Sequence, residues 1–252
     1  IHNQLRIEDL NLCADHEELL NAAKRYAEKC YLARNRAKSP SEAYQACLRI
    51  VDHYQVKRPS IKGDNLEPAL NRMCCHRWWY RRIQILRLRK IETISRNIEL
   101  VSRLRGTYAS DYTIHVKRKQ KERNRLYLAS TFVGNENGEL FSLQNLADRS
   151  VSNPAIRRAE LMVRIRGFEM VADHLGHVGE FYTLTTPSRM HACLHNGASN
   201  PRHDGTTTLQ AHEYLTHLWA LIRAELDRKD IRAYGFRVVE PHHDGTPHWH
   251  LL

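Results

Sequence analysis

Through roughly the first 130 residues, apolar positions recur at spacings of three and four, the repeat that lines one face of an α-helix. The segments "HEELLNAAKRYAEKCYLARNRA" and "SEAYQACLRIVDHY" both follow it, with Ser41 the expected N-cap of the second. Pro59 and Gly63 punctuate a loop. Asn65 to about Arg105 then reads as one or two long helices, with Pro68 in the first turn, where its missing N–H costs nothing. "GNENGE" (134–139) is turn-like. Beyond it, Asn153 and Pro154 mark a helix start and Gly176 a stop, and the dense apolar content between them predicts a well-buried helix. From residue 180 the period shortens. "EFYTLTTP" is rich in β-branched and aromatic residues and ends at a proline, so it reads as a strand. A helix from about Thr208 to Arg228 follows, with Leu215, Leu218, Trp219, Ile222 and Leu226 on one stripe. "AYGFRVVE" (233–240) is a second strand, and "HWHLL" opens a third. The pattern predicts an α+β fold: a basic α-helical domain over 1–150, a connecting helix over 151–178, and from 179 to 252 a domain built on a central antiparallel sheet flanked by helices.

Charge changes this picture more than composition does. The 39 lysines and arginines outnumber 28 acidic residues, leaving +11, an electrostatic footprint for a polyanion such as nucleic acid. The excess is densest in "HRWWYRRIQILRLRK" (76–90) and "HVKRKQKERNR" (115–125), which makes Arg77, Arg81, Arg82, Lys117, Arg118 and Lys119 candidate phosphate contacts. Trp78 and Trp79 are expected to fill a helical core rather than stack on bases. No stretch approaches the ~20 apolar residues of a membrane span. Six scattered cysteines without a paired framework favour a reducing cytoplasm. Cys74, Cys75 and His76 are adjacent, unlike zinc motifs, and are expected to pack within a helix.

The candidate chemistry lies in "EPHHDGTPHWHLL". Residues two apart on a strand point the same way, so His248 and His250 share a face. Whether Glu240 joins them depends on the hairpin. Opposed residues in an antiparallel pair have numbers of constant sum, and Glu240 opposes His248 only if the connection has an odd number of residues. A three-residue loop with Gly245 left-handed would serve, whereas a two-residue Asp244–Gly245 turn would send Glu240 to the opposite face. Pro241 and Pro247 flank the loop and favour the wider connection. Two imidazoles and a carboxylate leave coordination positions open, as catalytic metal sites do. With a phosphate oxygen as a further ligand, Mg2+ or Mn2+ is expected, with Zn2+ possible in vitro. His242 and His243 are expected as turn residues or phosphate contacts.

Taken with "FYTLTTPSRMHA", "RRAELMVRIRGFE", "NPRHDGTT" and "YGFRVVEPHHDGTPHWHLL", the histidine strand resembles the HUH endonucleases, and within them the phage replication gene A protein family. The resemblance is extensive from about residue 150 and fainter across "RMCCHRWWYRR". It implies an HUH-type domain with the paired histidines on a middle strand and "FYTLTTP" beside it. His248 and His250 would be metal ligands and Glu240 the third. A tyrosine would nick single-stranded or origin DNA, leaving a 5′-phosphotyrosine and a 3′-hydroxyl that primes rolling-circle replication in the cytoplasm of a bacterial host, with host replication machinery as a further partner. In such initiators the tyrosine follows the histidines. Tyr182, Tyr214 and Tyr234 precede them, so the nucleophile is expected after Leu252, in a longer protein of which this fragment alone would be inactive.

Two other readings compete. One is a non-catalytic basic nucleic-acid-binding module with a structural or vestigial metal site. The other, a small-molecule metal hydrolase, fits the +11 charge poorly.

Overall fold

The computed structural model describes residues 5–252, and these divide into two compact units that meet in sequence at Ser95 and Arg96. The division falls inside the stretch that the sequence groups as one helical domain over 1–150.

The first unit opens with a two-stranded ladder, β1 (Arg6–Ile7) against β2 (Leu10–Asn11). Four helices follow: α1 (His16–Arg36), α2 (Pro40–His53), α3 (Glu67–Met73) and α4 (His76–Asn97), the last two residues of α4 belonging to the second unit. Asp15 and Glu18 close α1 with a capping box, satisfying two backbone N–H groups the helix leaves unpaired. The expectation of Ser41 as the cap of α2 needs correction. Ser39 accepts from the Glu42 N–H, because Pro40 occupies the first helical position and draws the start two residues earlier. The core is aromatic: the Tyr26 and Tyr54 rings stack 3.8 Å apart, and Trp79 packs edge-on against both. Trp79 is wholly buried with its indole N–H donated to the Met73 carbonyl, so both tryptophans belong to packing, as expected. Cys74 and Cys75 sit between α3 and α4, half-buried against the same core.

The second unit contains α5 (Asp111–Ser130), a hairpin of β3 (Phe132–Gly134) and β4 (Leu140–Ser142), α6 (Leu143–Asp148) and α7 (Pro154–Leu175). After these come β5 (Tyr182–Leu184), a short 3-10 turn, α8 (Thr208–Arg228), β6 (Arg237–Pro241) and β7 (Pro247–Leu251). The last three strands form one antiparallel sheet in the order β5–β7–β6, with the histidine strand in the middle. α8 starts on a Thr207–Gln210 capping box and buries Ala211 and Leu215, while His212 lies 5.5 Å from the fully buried Trp249 ring. By strand alternation Trp249 points away from His248 and His250, so α8 lies on the side opposite the histidines.

α7 has the predicted ends, Asn153 as N-cap and Gly176 in the left-handed conformation at φ +67°. Its predicted burial is not found: among the described residues no α7 side chain is buried. The physical reason is angular. Leu161, Met162 and Val163 are consecutive and diverge around the helix, as do Met170 and Val171, so density never resolves into a stripe. Among the described residues only its Phe168 finds aromatic partners, in Tyr234 and Phe236. No helix among the described residues is long and apolar enough to cross a membrane.

Candidate metal centre on the central strand

The hairpin adopts the odd connection. Glu240 opposes His248 and Val238 opposes His250, with Pro241 facing Pro247. The His242 N–H donates to the Thr246 carbonyl at 2.7 Å, leaving His243, Asp244 and Gly245 as a three-residue tip with Gly245 at φ +79°. Glu240, His248 and His250 therefore share one face. One ligand atom from each lies within 4.8 Å of the others. The two Nε2 atoms are 3.0 Å apart and the Glu240 carboxylate is 3.7 Å from His250 Nε2.

The neighbours fix which nitrogen faces the cluster. Thr183, opposite His250 on β5, lies 3.1 Å from Nδ1. With Nδ1–H donating to that hydroxyl, Nε2 turns its lone pair toward Glu240 and His248, the arrangement that orients a ligating imidazole. The Phe181 ring stacks on His250 at 5.2 Å and 23°. Burial, followed by the nearby His250, holds His248 below the usual histidine range, and burial with His248 beside it pushes His242 down to about 4. Both rings are thus neutral near pH 7, and a neutral imidazole is the form that ligates.

The tip that sets this register is itself fixed. Arg96 is buried and donates to the carbonyls of Asp244 (2.9 Å), Thr206 (3.2 Å) and Met190 (3.3 Å) and to the Thr246 hydroxyl (2.8 Å). The fully buried Asp244 accepts from the Ala192 N–H at 2.9 Å and from the Thr246 hydroxyl and N–H, with His191 Nδ1 3.4 Å away. His243 Nε2 pairs with the Leu194 carbonyl, and neither His242 nor His243 belongs to the triad. Sequence reasoning did not single out Arg96, Asp244, His191 or Thr183. An acidic residue beside glycine reads as turn chemistry, and nothing local announces that it is buried.

The profile of the bacteriophage replication gene A protein family matches residues 11–252. The chain belongs to that family. Among curated relatives of this gene A family member, a "Replication gene A protein" of Escherichia phage 186 is 47% identical over 189 residues, covering 75% of this chain and 27% of the relative. A "Probable replication endonuclease from prophage-like region" of Salmonella paratyphi A is 38% identical over 196 residues, 78% of this chain and 24% of the relative. A "Probable replication protein P12" of Pseudoalteromonas phage PM2 is 39% identical over 195 residues, 77% and 30%. The chain thus spans between about a quarter and a third of the length of these relatives. No solved structure matches it.

The basic positions named from the sequence sit on helices α4 and α5 of the family member, and none belongs to the triad. Arg77 and Arg81 are exposed on α4, and Arg82 is half-buried with its guanidinium 5.4 Å from the Trp78 ring. Lys117, Arg118 and Lys119 are exposed on α5, which buries nothing among the described residues. Tyr182 opposes Leu251, on the sheet face away from the histidines, and the Tyr234 hydroxyl is bound to His177 Nδ1 at 2.9 Å.

Proposed function

We propose that this chain is the phosphate-gripping part of a replication endonuclease of the HUH type, which nicks one strand of DNA through a tyrosine lying outside these 252 residues. The observation that carries the reading is the convergence of Glu240, on the edge strand β6, with His248 and His250, on the middle strand β7, on one face of the sheet. Names borne by the gene A relatives, "replication endonuclease" among them, support the same direction.

The donor set suits a divalent ion. Two Nε2 atoms 3.0 Å apart match two ligands each about 2.1 Å from one ion at roughly a right angle, the octahedral preference of magnesium or manganese. Such an ion would supply charge neutralisation at a scissile phosphate and leave positions open for its oxygens. The protein's own share is orientation. A Thr183 hydroxyl accepting from Nδ1–H would hold His250 with its Nε2 lone pair toward the ion, the neutral His248 offers a lone pair, and the odd-length tip keeps the carboxylate beside both rings. A tyrosine hydroxyl attacking phosphorus in line would form the phosphotyrosine bond and break the bond to the 3′-oxygen, which departs as a hydroxyl. The new linkage conserves the energy of the old one, so the strand can be rejoined.

The test uses the full-length protein on single-stranded DNA with manganese or magnesium, trapping the covalent adduct. Nicking and adduct should vanish with chelation and in His248→Ala and His250→Ala, and calorimetry on the same variants should show the metal affinity lost. Nicking that survives either substitution and chelation would overturn the assignment.

A further inference from the structure

The face of the sheet that carries the triad also carries a largely exposed aromatic ring, with one aromatic partner among the described residues. Alternation puts Phe181, Thr183, Val238, Glu240, His248 and His250 on that face, because Thr183 and Val238 both oppose His250. α8 covers the other face, where its His212 lies beside the buried Trp249. Phe181 is 63% exposed and Val238 49%, although Phe181 lies parallel to an imidazole of the cluster. A phenyl ring so placed fills no core among the described residues. Its far side is a flat apolar surface one side-chain width from the proposed phosphate grip.

We propose that Phe181 is a stacking platform for an unpaired DNA base, that of a nucleotide next to the phosphate gripped at the triad. This rests on the reading of the triad as a phosphate grip. The chemistry selects the occupant. A nucleotide joins an anion to a flat π-face through a short sugar, and the protein offers a cation-binding cluster beside an aromatic ring, 5.2 Å between the Phe181 and His250 centroids. The +11 charge favours a polyanion over an apolar peptide. Base–aromatic stacking is also indifferent to base identity, so Phe181 would hold the strand while other contacts read its sequence. A base must be unstacked to use the ring, which restricts the site to single-stranded or melted DNA.

The experiment measures binding of the full-length protein to oligothymidylate and to an abasic deoxyribose-phosphate strand of equal length, which has the same charges and no bases. Wild type should bind oligothymidylate about tenfold more tightly, the usual size of one stacked base. Phe181→Ala should erase that difference while leaving the abasic affinity unchanged, and Phe181→Leu, similar in bulk without a π-face, should erase most of it. Phe181→Trp should restore it, with an added emission, beyond that of the native tryptophans, quenched by oligothymidylate and not by the abasic strand. Equal loss on both strands, or Phe181→Leu matching wild type, would overturn the proposal. So would an added emission in Phe181→Trp that is already shielded from water without DNA, which would mean that another protein segment covers the ring. Manganese calorimetry keeps the two readings separate: if wild type binds no metal the phosphate grip fails, while the oligothymidylate difference still decides the stacking.

Discussion

Asp244 shows how one side chain outside the triad can govern it. Burial alone would push its carboxyl up, but the His191 contact and the N–H and hydroxyl of Thr246 outweigh burial and hold it well below the usual carboxylate range. Its Arg96 partner is buried too, at 3.9 Å between Nη2 and Oδ2. Since the folded value lies below the unfolded one of about 3.9, the carboxylate stabilises the fold above that pH, and the contribution fades as the solution is acidified toward the folded value. Asp244→Asn should therefore cost about 3 kcal/mol at neutral pH, the usual penalty for leaving a buried partner unpaired. It should also flatten the decline in stability below about pH 4. Urea denaturation over a pH series checks both, and an unchanged acid limb would remove Asp244 from this role. None of this was legible in the sequence, because Arg96 and Asp244 lie 148 residues apart and each looks locally like surface chemistry.

The β6–β7 hairpin was the most legible element. Period-two alternation, paired prolines and a glycine at the tip are local signals, and together they set the face that Glu240 occupies. Gly245 is where the tip is most demanding: at φ +79° an added Cβ would also stand 3.1 Å from the Tyr108 carbonyl oxygen. Gly245→Ala is expected to destabilise by about 1–2 kcal/mol from the left-handed backbone alone. Because the tip fixes the strands, manganese affinity should fall with it, and calorimetry beside thermal unfolding reads both. Affinity unaltered despite the lost stability would mean the ligands hold their place without the turn. α7 was legible only at its ends. Capping depends on single residues, whereas burial depends on what the rest of the protein brings to a helix, which density of apolar residues does not reveal.

For the whole molecule, the α+β class and the antiparallel sheet followed from the change of period near residue 180, but the division at Ser95 and Arg96 left no mark, since helical periodicity runs through it. The basic segments on α4 and α5 fall in different units, so their contributions to nucleic-acid binding are separable. If Lys117, Arg118 and Lys119 each meet a phosphate of single-stranded DNA, changing all three to glutamate should make the slope of log affinity against log salt shallower by about two. Fluorescence anisotropy across a salt series measures that slope, and an unchanged value would exclude α5 from the contact. The hairpin tip has a last consequence for how such proteins can diverge. Between Glu240 and His248 an insertion or deletion of a single residue rotates the carboxylate to the far side of the sheet, as damaging as losing it, while a change of two keeps it in place. Natural length variants at this turn should therefore come in pairs of residues.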